Sequence, residues 1–215
     1  MNVPGQDIDG NTATIGVIAG DKYGNPVAER TAVYFTTDIG IISASGFTNA
    51  NGSTAATLFS ANPRSLDGFG YARARTTGID GADVKDSVRI LFSGLPIIDN
   101  VSAATFAVSA GGTSPLISFK LHDENGNPLA AGTTITVTLQ FTPPPNSTLN
   151  FAVTGDANVT LGDTQAKGVG TTDFSFRISD QTSGGAPSTI PVTVIIHVTG
   201  PNGTAPNVNI NGTIG

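Results

Sequence analysis

The segment DKYGNPV (Asp21–Val27) returns as DENGNPL (Asp123–Leu129) 102 residues later, in phase with the apolar residues around it. The same shift carries Ile15, Val17 and Ala19 onto Ile117, Phe119 and Leu121, and Val33 and Phe35 onto Ile135 and Val137. In each copy, alternating apolar residues lead into an Asp-x-x-Gly-Asn-Pro turn and alternate again beyond it. Alternation at period two marks a strand with one buried face, and about a hundred residues is the length of one β-sandwich domain. The chain reads as two sandwiches in tandem, residues 1–94 and 95–215.

Composition agrees. The 27 Gly and 13 Pro in 215 residues suit many short strands joined by tight turns. No run spaced i, i+3, i+4, i+7 is long enough for a helix. A net charge of −6 argues against nucleic acid, which needs clustered Lys and Arg. Cysteine is absent, which removes disulfides, thiolate metal sites and cysteine nucleophiles. No stretch approaches the roughly 20 apolar residues of a membrane span, so no membrane insertion is expected. Met1–Gly5 has no basic start and no apolar run, so a signal peptide is not recognised. We read the chain as a piece of a longer exported protein.

In the first domain, strands are predicted over Thr12–Ala19, Thr31–Thr37, Ile41–Ser43, Gly46–Thr48, Ser53–Ser60, Gly70–Thr76 and Asp86–Ser93. Their inward residues would be Ile15, Val17, Val33, Phe35, Ala56, Leu58, Ala72, Ala74, Val88, Ile90 and Phe92. Seven strands at this spacing match an immunoglobulin-like sandwich, so the expected class is all-β, two tandem immunoglobulin-like β-sandwiches. The pattern breaks at Ser93–Pro96, the predicted linker. The second domain resumes with strands over Thr105–Ser109, Leu116–His122, Thr133–Phe141, Leu149–Val153, Val159–Leu161, Asp173–Ser179, Ile190–Thr199 and Val208–Ile210. The Pro143–Pro145 run is expected in an exposed turn or edge. Beyond Phe141 the repeat weakens.

DKYGNPVAERTAVYFTT, TNANGSTAATLFS and GFGYARART with SVRILFSG together span nearly all of the first domain. They resemble, in order and spacing, the signatures of the bacterial immunoglobulin-like group 1 domain of invasin and intimin-type surface proteins. Two departures stand out. The family's first strand is missing or reduced to Asn2–Gln6, and Arg73 and Arg75 occupy positions that are usually small or polar. The second domain shares only the Asp-x-x-Gly-Asn-Pro turn and its flanking strands, and is a divergent sandwich of the same class. The resemblance implies a stalk or adhesive role outside the bacterial cell, without catalysis, and no ligand-binding residues transfer with it.

His122 and His197, the only histidines, have the parity and surroundings of strand-face residues and do not suggest a triad or a histidine metal site. Calcium has a candidate in Asp7, Asp9 and Asn11, which alternate oxygen ligands before and after Gly10 but lack the distant bidentate Glu of a full loop. Asp80, Asp83 and Asp86 form a second acidic group. An isopeptide bond from Lys120 is rejected, because its parity is opposite to Phe119 and Leu121. Arg73, Arg75 and Arg89 share outward parity, with Tyr34 expected on the same sheet, and three arginines on one face suit a carboxylate, a sulfate or a partner strand. Pairing with Asp83, Asp86 or Glu29 is the alternative.

The expected function is a non-enzymatic spacer at the bacterial cell surface. Its partners would be other domains of the same long surface protein, and a host or neighbouring-cell protein or glycan through the arginine face. The alternatives are a ligand-binding adhesin domain, and accessory domains of a secreted hydrolase.

Overall fold

The computed structural model describes residues 1–215, which divide into two compact units, Met1–Gly94 and Leu95–Gly215. The first unit holds β1 (Asn2–Pro4), β2 (Thr12–Ile18), β3 (Ala32–Thr37), β4 (Ile41–Ile42), β5 (Ser45–Phe47), β6 (Ser53–Phe59), β7 (Phe69–Thr77) and β8 (Asp83–Ser93). The second holds β9 (Ile97–Asp99), β10 (Thr105–Val108), β11 (Ile117–His122), β12 (Thr134–Phe141), β13 (Phe151–Gly155), β14 (Asn158–Thr160), β15 (Asp173–Asp180), β16 (Ile190–Gly200), β17 (Gly203–Thr204) and β18 (Val208–Ile214). There is no helix, and nothing helical that is long and apolar enough to cross a membrane.

Each unit is an immunoglobulin-like sandwich, and the two share one strand plan. In the first, a sheet ordered β1-β8-β7-β3-β5 faces a sheet ordered β2-β6-β4. In the second, β10-β18-β16-β12-β14 faces β13-β15-β11-β9. Read in chain order, β1 to β7 correspond to β10 to β16 and β8 to β18, including the parallel pairing of β1 with β8 and of β10 with β18. The repeat therefore runs through the whole of each unit, where the sequence shows it only in the first half. Its second half is masked by a long loop (161–172) where the first unit has the tight turn 48–52.

The shared turn is built identically twice. Asp21 accepts the amides of Tyr23 and Asn25 on Oδ1, and Asn25 Nδ2 donates to its Oδ2 at 2.9 Å. Asp123 accepts the amides of Asn125 and Asn127 in the same way, with Asn127 Nδ2 at 3.3 Å. Gly24 and Gly126 supply the positive φ, 85° and 68°. The difference is burial. Asp21 is exposed and Asp123 fully buried. Lys167 Nζ, from the long loop, donates to the Asn125 carbonyl at 3.3 Å, and the Ala130 amide donates to Asn202 Oδ1 at 2.8 Å.

The cores follow from alternation. On β16, Ile190, Val192, Val194, Ile196 and Val198 are all buried, and across from them Ile117, Phe119 and Leu121 line β11. Phe119 lies 5.7 Å from the Phe174 ring and 6.2 Å from Phe176, offset geometries that each add about 0.5–1.5 kcal/mol beyond area burial. In the first unit two smaller clusters form, one around Leu58, Ile90 and Phe92 and one around Val33 and Phe35.

Four strand expectations need correction. No strand is predicted between Ser93 and Thr105, yet Ile97–Asp99 forms β9. The strand expected at Leu149–Val153 is displaced to Phe151–Gly155, the last strand runs on to Ile214, and β8 starts at Asp83. Val88, expected in the core, is 42% exposed. It points to the inner side of β8, but the three-stranded sheet opposite does not cover it.

Candidate functional site

The arginines sit on the outer face of the five-stranded sheet, carried by β7 and β8, the two longest strands of the first unit. On β7 the inward residues Ala72, Ala74 and Thr76 are buried, which leaves Tyr71, Arg73 and Arg75 outward. Antiparallel pairing then sets cross-strand rows. Tyr34 of β3 lies opposite Arg75, which lies opposite Lys85 of β8. Thr36 lies opposite Arg73, which lies opposite Ser87, and Tyr71 lies opposite Arg89. Arg73, Arg75, Arg89 and Tyr34 are thus brought together on one surface, with Lys85 and Tyr71 joining them. The sequence contained the signal for both: Lys85 and Tyr71 have the parity of Arg89 and Arg73.

The guanidinium groups are held by two kinds of neighbour. Arg73 forms a two-pronged pair with Asp38, its Nη2 donating at 2.9 Å, and its plane lies 5.6 Å from the Tyr71 ring. Asp38 follows the end of β3, where a residue past the strand has no parity from which the sequence could place it on this face. The hydrogen bond from Arg73 holds the Asp38 carboxyl below the usual range and raises the Arg73 guanidinium. Arg75 Nε donates to Asp83. Arg89 stacks on Phe69 with 3.8 Å between guanidinium carbon and ring centre. Both ion pairs are about half exposed, so they contribute little to stability and serve mainly to fix the side chains. No carboxylate pairs with Lys85. A shallow depression is bordered by Arg73, Lys85, Asp86 and Ser87. Tyr34 and Tyr71, 58% and 44% exposed, give the cationic face aromatic surface. Chemically, it can present planar donors and ring faces to an anion.

The other sequence candidates lie elsewhere. Asp9 pairs with Arg64, and Asn11 donates its amide to the Pro4 carbonyl at 2.6 Å. Asp7 belongs to the same loop ahead of β2. No group of three or more acidic or histidine side chains gathers anywhere in the chain. His122 Nδ1 donates to the Asp123 carbonyl at 2.6 Å, and its Nε2 faces Asp99 at 3.2 Å. His197 Nδ1 bonds Asn207 Oδ1 at 2.8 Å. Lys120 points outward and donates to Asp173 at 2.6 Å.

No family model matches the chain, and no curated protein matches it. Among solved structures it is similar to the Yersinia pseudotuberculosis adhesin InvE, at 12% identity and a TM-score of 0.37, over 98% of this chain and 56% of that one. It is also similar to zebrafish RET cadherin-like domains 1 to 4, at 11% identity and a TM-score of 0.35, over 85% of this chain and 41% of that one. A third similarity is to Dpr2 Ig1-Ig2 in its complex with DIP-Theta Ig1-Ig3, at 13% identity and a TM-score of 0.27, over 98% and 93%. The chain spans little more than half the length of the adhesin chain it matches.

Proposed function

We propose that the chain is a non-catalytic structural module of an exported bacterial surface protein. Its first unit is a group 1 bacterial immunoglobulin-like domain of the invasin and intimin type, and its second a divergent relative. The observation that carries this reading is the pair of self-contained cores joined by a minimal connection. Only Gly94, Leu95 and Pro96 separate the end of β8 from the start of β9. A pull on the chain ends loads the parallel pairs of β1 with β8 and of β10 with β18 in shear, and a three-residue joint adds little slack. Pulling the intact chain by its ends in a single-molecule force experiment is expected to show two unfolding events, with length gains matching residues 1–94 and 95–215. Extension without a resisted event would overturn the reading.

A second reading, an adhesive face, is favoured by the grouping of Arg73, Arg75, Lys85 and Arg89 beside exposed Tyr34 and Tyr71 in an acidic chain. Its partner would be a sulfated or carboxylated glycan, or an acidic protein, on a host or neighbouring cell. Saturable binding to such a ligand on an array, lost in an Arg73, Arg75 and Arg89→Ser variant that keeps its circular dichroism, supports it. Equal binding by both proteins removes it.

A further inference from the structure

The second unit adds two strands to the shared plan, the two-residue β17 beside β16 and β9 at a sheet edge. In the second unit β9 lies antiparallel on β11, with Asp99 opposite Lys120, Ile98 opposite Leu121 and Ile97 opposite His122. The chain then keeps hold of that edge: the Ser102 amide donates to the Ser118 carbonyl at 2.8 Å, and the Ser118 amide to Ser102 Oγ at 2.9 Å. In the first unit nothing lies beyond β2, the strand that corresponds to β11.

The register shows which groups this leaves open. Ala19 donates its amide to the Gly52 carbonyl, and the Ser60 amide donates to Asn11, so the odd-numbered residues of β2 spend their backbone groups on β6. The amides and carbonyls of Thr12, Thr14, Gly16 and Ile18 therefore point away from β6, toward the open edge. Burial follows the same difference. Phe119 and Leu121 are 2% and 0% exposed, whereas their equivalents Val17 and Ala19 are half-buried and Ile18 is 81% exposed. On the facing sheet, β18 buries Ile210 and Ile214, while β8 leaves Val84 and Val88 exposed on its inner side.

This edge also lacks the features that keep strands apart. Of the other edges of the unit, β4 and β5 are only two and three residues long, and β8 ahead of its pairing with β1 carries Asp83, Lys85, Asp86 and Arg89. Charges of this kind discourage edge-to-edge pairing. β2 reads TATIGVI, with no charge and no proline.

We propose that the open edge of β2 docks an extended aliphatic strand lying outside these 215 residues, antiparallel and in the register that β9 adopts on β11. The backbone of Gly16 and Ile18 supplies the ladder, as in other strand-addition sites. One aliphatic side chain, in the place of Ile98, points inward over Val17 and Ala19. Its neighbour, in the place of Asp99, lies beside Ile18. In the second unit that position answers Lys120 and His122; here it meets Ile18 and Gly20, so the docking strand carries an aliphatic residue where β9 carries an acid.

The probe is a synthetic peptide of the sequence Leu95–Ser102 carrying Asp99→Val, added to the intact chain. Saturable binding is expected, with hydrogen-exchange protection of the Gly16 and Ile18 amides rising at least tenfold. A Gly16→Lys, Ile18→Lys variant is expected to lose binding at least tenfold. Its fold is expected to survive, because a Cβ on Gly16 meets nothing within 4 Å and Ile18 is solvent-facing. A Ser87→Lys variant on the charged β8 edge is expected to bind as the parent does. Absence of binding at millimolar peptide, or binding that leaves those two amides unprotected, overturns the proposal. Concentration-dependent protection of the same amides without peptide, accompanied by a dimer in sedimentation, assigns the edge to a second copy and overturns it equally.

Discussion

At the scale of single residues, one aspartate organises each Asp-x-x-Gly-Asn-Pro turn, and its surroundings decide how much it matters. The sequence shows the two turns as equals, and their hydrogen bonds are equal. Only Asp123 is buried, and Lys167, from a loop that the first unit does not have, donates to the Asn125 carbonyl of its turn. Asp123→Ala strands the buried Asn127 amide and the half-buried Asn125 amide and is expected to destabilise the second unit by about 2–4 kcal/mol. Asp21→Ala leaves amides that water can reach, and chemical denaturation should register a clearly smaller loss. Asp180 gives a pH handle. Burial by itself raises its carboxyl, but the Gly111 amide, the Thr182 hydroxyl and amide, and the Ala186 amide outweigh it and hold the group at about 2. A carboxyl lowered on folding from 3.8 stabilises the protein fully above pH 4, and that stabilisation is lost as pH falls through 2. Melting between pH 5 and 2 should therefore be flatter for the second unit of Asp180→Asn than for the parent.

At the scale of elements, alternation predicted most strands to within a residue or two, because one buried face imposes period two wherever a strand is covered. It failed where covering is incomplete. Val88 has inward parity and is exposed, since the sheet opposite β8 is one strand short of its counterpart in the second unit. β9 carries no readable alternation, because three residues are too few to establish a period. The same contrast sets the worth of equivalent side chains on β2 and β11. Phe119→Ala opens a cavity in a closed core and is expected to cost about 3–5 kcal/mol. Val17→Ala removes two half-buried methyl groups and is expected to cost roughly 1 kcal/mol or less. Paired urea titrations measure both, and similar losses would mean that the β2 edge is covered in solution.

At the scale of the whole molecule, the two cores have no residue in common, and they differ in quality. The second unit has one continuous cluster that takes in Phe119, Phe174 and Phe176, whereas the first divides its core in two around small residues such as Ala56 and Ala72. Calorimetry is expected to resolve two transitions, with Leu58→Ala lowering only the first and Phe176→Ala only the second. A single transition shifted by both variants would contradict it. The sequence by itself determined the all-β class, the two sandwiches, the turns and the outward parity of Arg73, Arg75 and Arg89, because these follow from local chemistry: glycine and proline at turns, and side chains alternating along a strand. The tertiary structure alone decided that Arg73 pairs with Asp38, that Asp123 is buried and Asp21 is not, and that β2 keeps an open edge while β11 does not. Each of these depends on what the fold brings across from elsewhere in the chain, and no local pattern carries that information.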